Sequence, residues 1–370
     1  MSLGAYVHLP FCHTHCTYCP FAISTDLSLQ NEYTEALIRE IENLGRASAR
    51  TGGLKPALRF ETLYFGGGTP SRTAIENLRR IFDVLRIEDG AEITLEANPE
   101  DVTEDAIRAW RDLGVNRISV GVQSFHDDEL QAIGRAHDRA RAIEAVTLIV
   151  SSGARANLDL ILGLPSQTVA KYRQSLDTAV SLGAGHLSLY MLDLEERTPL
   201  QVQHARGRVT LPEEEMVADL YVETISRLES AGLHQYEISN FARPGQESRH
   251  NLRYWRRGEY LGFGMAAHSF IGDRRFANTR DIRRYIELSP HARDFEEILG
   301  NDEVQHEQLF LQLRQTRGMC YEDLVAMRGE EAIAWIERGI GEGWLQRKDE
   351  RVAFTPAGFL QSNDFISQLF

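Results

Sequence analysis

Two kinds of hydrophobic pattern alternate over the first two thirds of the chain. Short runs rich in apolar and β-branched residues predict six strands: AYVHLP (5–10), LRFETLYFG (58–66), AEITLEANP (91–99), NRISVGVQS (116–124), ANLDLILGLP (156–165) and HLSLYMLDL (186–194). Between them lie stretches with helical spacing, such as residues 31–45, where Leu37, Ile41 and Leu44 recur at intervals of four and three. This alternation predicts successive β/α units that share one parallel sheet.

The sequence also predicts where two of the helices begin. Ser71 opens SRTAIENLRRIFDVL and Thr103 opens TEDAIRAWRDLG, and hydroxyl side chains are favoured at the N-cap because they accept from free backbone N–H groups. We therefore expect Ser71 and Thr103 to be N-caps, with the second helix ending at Gly114.

Parallel β/α units predict an α/β fold, with the sheet either doubly wound or curled into a partial barrel. Several predicted strands end in polar residues. The carboxyl ends of parallel strands meet at one edge of the sheet, which is where such folds place their chemistry. We therefore expect these polar residues to converge there.

The pattern changes near residue 240. Residues 239–278 contain turn residues, aromatics and arginines without a clean period. From about residue 300 there follow two helix-like runs and then a short β-like pair within LQRKDERVAFTPAG. We predict a main domain at 1–240, a connecting segment at 241–295 and a smaller winged-helix-like domain at 296–370. A winged-helix shape by itself implies nothing about DNA binding.

Charge and composition exclude several classes of protein. Lys and Arg total 40 against 54 Asp and Glu, a net charge of −14, which disfavours a nucleic-acid partner. No run of about 18 apolar residues predicts a membrane-spanning helix, and the opening MSLGAYVHLPF does not resemble a secretory signal. The 4 cysteines do not form the pattern of a disulfide framework. We expect a protein of the reducing cytoplasm.

Three of the cysteines stand close together after the first predicted strand. Cys12, Cys16 and Cys19 have the spacing C-x3-C-x2-C. An iron–sulfur cube is normally held by four thiolates, so three would leave one iron open to another ligand. The alternatives are a zinc site completed by His13 or His15, and a chance grouping of buried thiols.

Glycines and polar residues follow the other strands: Gly66, Gly67, Gly68, Thr69, Glu96, Gln123, Arg135 and Asp159. A carboxylate suits an ammonium group or ribose hydroxyls, a guanidinium suits a carboxylate, and an amide suits ribose. Each also has a structural explanation. The carboxylates can cap loops, Arg135 can form a surface ion pair, and the glycine-rich turn can be structural or hold a phosphate.

The cysteine spacing, with an aromatic residue before the last cysteine, resembles the radical S-adenosylmethionine (SAM) superfamily. That resemblance implies a partial (β/α)6 barrel with a smaller C-terminal helical, winged-helix-like domain. It also implies a [4Fe–4S] cluster on Cys12, Cys16 and Cys19, with SAM bound at the open iron and cleavable to a 5′-deoxyadenosyl radical.

Nearly the whole chain resembles one branch, the oxygen-independent coproporphyrinogen III oxidases and the related HemW-type haem chaperones. The matching stretches are residues 6–21, GGGTPS, LEANPE, ISVGVQS, NLDLILGLP and the C-terminal region. By this resemblance SAM would be contacted by Tyr6, Tyr18, Gly67, Gly68, Thr69, Glu96, Gln123, Arg135 and Asp159.

Three features favour the chaperone side of this family. Phe21 stands where the oxidases have a further cysteine, only residues 1–11 precede Cys12, and residues 250–255 read HNLRYW, a motif linked to haem in the chaperones. The alternative is an oxidase that converts propionates of coproporphyrinogen III to vinyl groups through the adenosyl radical. A third class, an RNA-modifying radical enzyme, is disfavoured by the acidic balance.

The HNLRYW motif has the chemistry of a haem site. A neutral His250 can ligate haem iron, and Tyr254 and Trp255 offer flat apolar faces to the macrocycle. Alternatively, His250 bonds a turn while the two aromatics are buried in an interdomain seam. His268 is a rival ligand unless it is a core histidine, and Cys320 is expected to be a buried thiol.

The family resemblance therefore implies a haem chaperone with haem as its cargo. By resemblance, the acceptor would be a haem protein such as a membrane respiratory enzyme. We further expect no nucleic-acid partner, a transient association with the inner face of a membrane, and a homodimer. The cluster would either promote dimerisation or gate the transfer of haem.

Overall fold

The computed structural model describes residues 3–50 and 59–369. Six parallel strands follow one another in chain order through the centre of the sheet. They are β1 (Leu3–Leu9), β2 (Phe60–Gly67), β3 (Ile87–Ala97), β4 (Arg117–Gln123), β5 (Arg155–Leu162) and β6 (His186–Met191). All six predicted strands are confirmed, although residue 58, where the second prediction begins, lies outside the described residues.

Helices cover the outer face of these strands. They are α1 (Gln30–Arg50), α2 (Ile75–Val84), α3 (Glu104–Asp112), α4 (Asp127–Ala132), α5 (Arg139–Ser151), α6 (Val169–Ser181), α7 (Pro199–Ala205) and α8 (Glu214–Ser230). The predicted apolar face of α1 is confirmed, since Leu37 and Ile41 are buried and Leu44 packs against the same core. The α/β fold is thus a partial (β/α)6 barrel.

The two predicted N-caps have different outcomes. Thr103 caps α3, with its hydroxyl oxygen 3.1 Å from the backbone N–H of Ala106. The prediction for Ser71 is wrong, because α2 begins only at Ile75. Ser71 lies in a short 3₁₀ turn, where its hydroxyl donates to the carboxylate of Asp101 at 2.7 Å. That bond joins the loop after β2 to the loop after β3 and so uses the group that would have capped the helix.

The segment without a clean period contains regular structure that extends the sheet at both sides. It follows β7 (His234–Glu237) and contains β8 (Asn240–Ala242), α9 (Arg249–Trp255), β9 (Tyr260–Phe263), β10 (His268–Ile271) and β11 (Arg274–Asn278). After it come α10 (Ile282–Leu288) and β12 (Arg293–Ile298). The strand order is β12-β11-β10-β9-β1-β2-β3-β4-β5-β6-β8-β7. Strand β9 is parallel to β1, whereas β10, β11 and β12 continue antiparallel.

The C-terminal region packs helices on a small antiparallel sheet. It contains α11 (Asn301–Leu313), β13 (Met319–Cys320), α12 (Tyr321–Gly341), β14 (Leu345–Lys348), β15 (Arg351–Phe354), α13 (Pro356–Leu360) and α14 (Ser362–Ser367). The predicted helices and the β14–β15 hairpin are confirmed. Trp335 stacks on Phe365 in its core, with ring centroids 4.5 Å apart. The domain boundaries at 240 and 295 stay predictions.

Backbone hydrogen bonds join this region to the chain around β7, the last strand at one end of the sheet. The N–H of Ile238 donates to Arg314 at 3.0 Å, and the N–H of Thr316 donates to Tyr236 at 3.2 Å. The C-terminal region therefore covers the β7 edge of the sheet. Within the described ranges, no helix is long and apolar enough to cross a membrane.

Candidate functional site

A cavity of about 490 Å³ opens at the carboxyl ends of the barrel strands. The loops after β1 to β6 bring together residues that are far apart in the sequence. The predicted site residues that line it are Cys12, Cys16, Tyr18, Cys19, Gly67, Gly68, Thr69, Glu96, Gln123, Arg135 and Asp159. The expectation that polar strand ends would converge is therefore confirmed.

The cysteine loop is held at the cavity mouth by backbone hydrogen bonds. The N–H of Cys12 donates to Ser24 at 3.0 Å, and the N–H of Cys19 donates to Cys16 at 3.2 Å. The N–H of Thr17 donates to the carbonyl of Ile133 at 3.1 Å. The three thiols are free and partly buried. The loop thus presents three sulfurs to one cavity from a fixed backbone.

Burial makes the thiols poor acids when no cation is bound. It raises the pKa of Cys12 to about 11, although the hydroxyl of Thr69, 3.3 Å from the sulfur, lowers this pKa somewhat. Burial also raises the pKa of Cys19. A cationic group that binds thiolate would offset this cost, which fits a metal cluster. A cube takes its thiolates at separate irons, so the sulfurs need not meet at one point.

The two histidines of the zinc alternative also line the cavity, but both have other partners. His15 Nε2 lies 3.0 Å from the carbonyl of Cys19, and His13 Nδ1 lies 3.4 Å from the guanidinium of Arg72. Among the described residues, no group of three or more His, Cys, Asp or Glu side chains surrounds a single-ion position.

The glycine-rich turn after β2 packs directly against the cysteine loop. The N–H of Gly68 donates to Leu9 at 2.9 Å, and the N–H of Thr69 donates to Phe11 at 3.0 Å. A Cβ added to Gly68 would lie 2.4 Å from the backbone carbon of Pro10. Glycine is therefore required here, because the backbones of the two loops approach each other closely and so fix the position of the cysteine loop.

Two carboxylates project into the cavity with little solvation. Glu96 accepts from the hydroxyl of Tyr64 at 2.7 Å and from the N–H of Gly67 at 3.2 Å. Asp159 accepts from Ser119 at 3.3 Å and from the amide of Asn157 at 3.0 Å. Burial raises the pKa of Glu96 to about 7 and that of Asp159 to about 6. A ligand with a cationic group or hydroxyl groups would stabilise the ionised forms of both carboxylates.

Arg135 is held between the cysteine loop and the third and fourth strands. Its Nη2 donates to Asn98 at 2.7 Å and to the carbonyl of Gly121 at 2.6 Å, while Nη1 lies 3.7 Å from the sulfur of Cys16. Its buried Nε has no hydrogen-bond partner among the described residues. The guanidinium is consequently fixed in place with a donor left over for a ligand.

The other predicted SAM contacts differ in position. Gln123 has a left-handed backbone, with φ of 66°, at the end of β4, and its side chain lines the cavity. Tyr18 packs against Ile133 and Ile161. Tyr6 is not among the cavity-lining residues, and its hydroxyl lies 3.2 Å from His8 Nδ1.

The HNLRYW motif forms α9, which lies beside the inner wall of the barrel rather than in the cavity lining. His250 is only 1% exposed, and its ring nitrogens lie 2.9 Å from Thr62 and 2.8 Å from the hydroxyl of Tyr254. Burial lowers its pKa to about 3. Trp255 accepts a bond at its carbonyl from Gln315 of the C-terminal region at 3.0 Å.

The structure excludes one of the two alternatives left open for His268, and the expectation that Cys320 is a buried thiol is wrong. His268 is exposed at the start of β10 and is not a core histidine. Cys320 is only partly buried, because it stands at the end of the short strand β13, directly before α12.

Some residues of the cavity were not singled out from the sequence. The side-chain N–H of Asn98 donates to the hydroxyl of Thr69 at 3.3 Å, and its side-chain oxygen accepts from Arg135. Asn98 therefore connects two of the predicted SAM contacts. The side of the cavity at the end of β6 is lined by Tyr190, Met191, Asp193 and Glu195. Their signal was present, since they lie in or just after a predicted strand with a polar end.

Comparison with known proteins agrees with this geometry. Residues 6–179 match the radical SAM superfamily. The chain is 38% identical to "Heme chaperone HemW" of Bacillus subtilis over 98% of this chain and 97% of that protein. It is 35% identical to the protein of the same name from Synechocystis over 100% of this chain and 97% of that protein. The chain belongs to the HemW family.

The chain is also similar to an animal protein and to a solved bacterial structure. The chain is 35% identical to "Radical S-adenosyl methionine domain-containing protein 1, mitochondrial" of Mus musculus, over 86% of this chain and 74% of that protein. The solved coproporphyrinogen III oxidase HemN of Escherichia coli superposes with a TM-score of 0.84 at 23% identity. That alignment covers 100% of this chain and 90% of HemN, and it shows a shared fold.

Proposed function

We propose that this protein is a haem chaperone, which binds haem and transfers it to an acceptor protein. The observation that carries the proposal is its similarity, over nearly the whole length of both chains, to proteins named haem chaperones. Partial similarity to a shared domain would not support a common function in this way.

We further propose that the cavity holds a [4Fe–4S] cluster and SAM. Cys12, Cys16 and Cys19 would bind three irons, and the fourth would be left to SAM. Arg135 has the charge and the spare donor for the SAM carboxylate, whereas Glu96 and Asp159 suit its ammonium group and ribose hydroxyls. When bound, such a cluster supplies one-electron chemistry to SAM.

The composition of the cavity disfavours the oxidase alternative. Coproporphyrinogen III carries several negatively charged propionates, which need cationic partners. Beyond the SAM contacts, the lining carries the carboxylates Glu100, Asp193 and Glu195. Among the described residues, Arg135 is the only lining guanidinium, and its spare donor would be taken by the SAM carboxylate. A polyanionic substrate would be repelled here.

We also propose the setting in which the protein acts. The protein would act in the cytoplasm, where thiols stay reduced. The acceptor would be a haem protein such as a membrane respiratory enzyme. The protein would reach this acceptor by associating transiently with the membrane, and it would act as a homodimer.

The decisive experiment is a haem titration of untagged, anaerobically reconstituted protein, followed by Soret absorbance. Saturable, near-equimolar binding and subsequent transfer to an added apoglobin are expected. Anaerobic incubation with SAM, a reductant and coproporphyrinogen III should yield no decarboxylated product. Absence of saturable haem binding, or steady product formation, would overturn the proposal in favour of the oxidase.

A further inference from the structure

A line of ring contacts leads from the cavity to the other side of β1. Glu96 of the cavity accepts from Tyr64, whose ring stacks on His250 at 5.2 Å. Beyond His250, the ring of Tyr254 meets that of Tyr260 edge to face at 4.6 Å, and Tyr260 pairs with Phe270 in the sheet. Since side chains alternate along a strand, His268 lies on the same side of β10 as Phe270. The inner face of the barrel therefore continues onto β10.

On this continuation the sheet is open to solvent. The strand register places His268 opposite Ala277 and Ala277 opposite Phe295. The rings of His268 and Phe295 are 6.4 Å apart at 50°, and Phe295 is 44% exposed. A small alanine between two exposed rings leaves a shallow apolar floor. We call His268, Ala277 and Phe295 the β10–β12 face.

The imidazole of His268 is available to a ligand. No described residue hydrogen-bonds its ring nitrogens, in contrast to His250, whose two nitrogens are both engaged. Partial burial, together with Arg280 and Arg275, lowers the pKa of His268. The ring is therefore neutral at physiological pH and keeps the lone pair that a metal ligand needs.

Arg280 supplies a cation between this face and the cysteine loop. Its guanidinium donates to the carbonyl of Pro20 at 3.2 Å, directly after Cys19 in the chain. Within the described part of the chain it forms no ion pair with a carboxylate, whereas Arg275 pairs with Glu297 and Glu307. Arg280 therefore retains donors for an anionic group.

We infer that haem binds on the β10–β12 face with His268 as an axial ligand. The bond forms when an imidazole nitrogen donates its lone pair to the iron, without electron transfer. Phe295 would pack against the macrocycle, and Arg280 would meet a propionate. The inference rests on the proposed function, because it names the ligand of the haem that a chaperone must hold. His250 then belongs to the buried wall of the barrel.

The test compares histidine variants of the untagged full chain in ferric-haem titrations, read by Soret absorbance and electron paramagnetic resonance. His268→Ala should weaken binding about tenfold or more and abolish the imidazole-ligated spectrum, which added imidazole should restore. His234→Ala is the matched control, since His234 is an exposed histidine at the opposite edge of the sheet. That variant should bind as the wild type does.

The outcomes separate this inference from the proposed function. If the wild type binds no haem, the chaperone proposal fails. If it binds haem and His268→Ala keeps the wild-type spectrum and affinity, only the ligand assignment fails. Phe295→Ala gives a second check on the same face: it should weaken binding severalfold but preserve the imidazole-ligated spectrum. An unchanged affinity there would remove Phe295 from the site.

Discussion

The guanidinium of Arg135 lies 3.7 Å from the sulfur of Cys16, although the two residues come from loops after different strands. The same guanidinium is held by Asn98 and by the carbonyl of Gly121. A fixed positive charge beside the cysteine loop can hold a further anion. Arg135 thus joins the cysteine site to the region where a carboxylate-bearing ligand would lie.

Replacing Arg135 should weaken SAM binding. Arg135→Ala removes a charge-assisted bond worth about 2 kcal/mol, so we expect a loss of roughly thirtyfold in affinity. Arg135→Lys keeps the charge without the planar guanidinium, so its affinity for SAM should lie between those of the alanine variant and the wild type. Calorimetry on reconstituted protein measures both, and wild-type affinity in the alanine variant would argue against the contact.

The cysteines offer a control within the chain. Cys12→Ala, Cys16→Ala and Cys19→Ala should each abolish the brown chromophore and the iron content after anaerobic reconstitution. Cys320→Ala should retain both, because Cys320 lies in the C-terminal region, outside the cavity lining. Iron and sulfide analysis gives the readout. A stable chromophore in any of the first three variants would exclude that residue as a ligand.

Gly68→Ala tests the close approach between the glycine-rich turn and the cysteine loop. The added Cβ would meet the backbone carbon of Pro10 at 2.4 Å, so one of the two loops must move. We expect a loss of about 2 kcal/mol in stability, together with lower cluster occupancy. Gly341→Ala is the control, because nothing lies within 4 Å of its added Cβ. Equal urea midpoints for the two variants would show that the turn tolerates displacement.

Glu96 predicts a pH-dependent contribution to stability. Its pKa rises from 4.5 to about 7 in the folded protein, chiefly through burial. The folded state therefore holds the proton more tightly than the unfolded state does. The resulting stabilisation is full below about pH 4 and is lost as the pH rises through about 7.

Glu96→Gln removes this titration. Between pH 4 and pH 8 the wild type should lose on the order of 3 kcal/mol relative to the variant. Urea unfolding of both proteins without SAM at the two pH values measures the difference. Parallel pH profiles would mean that Glu96 titrates normally in the fold.

Much of the barrel was readable from the sequence, because each parallel strand carries a short apolar run bounded by turn residues. The convergence of Glu96, Gln123 and Asp159 followed from the same logic, since parallel strands deliver their carboxyl ends to one edge. Thr103 was recognisable as a cap because its bond to Ala106 is local. Local patterns and one topological rule were enough for these features.

Features that depend on distant partners were not readable. The hydroxyl of Ser71 bonds Asp101 of another loop, and no local pattern distinguishes this from capping. Likewise, the aromatic and charged strands β9 to β12 lack a clean period because their side chains meet rings and arginines on both faces. Arg293, for example, lies over the ring of Phe276 at 3.9 Å. The position of Asn98 between Thr69 and Arg135 also exists only in three dimensions.

The two ends of the long sheet are not equivalent. Residues 314–316 of the C-terminal region bond the chain at β7, whereas among the described residues β12 has a neighbouring strand on one side only. Of the two ends of the described sheet, only β12 therefore presents unpaired backbone N–H and C=O groups along a strand. The C-terminal region blocks strand-by-strand growth of the sheet at β7 and leaves growth open at the other end.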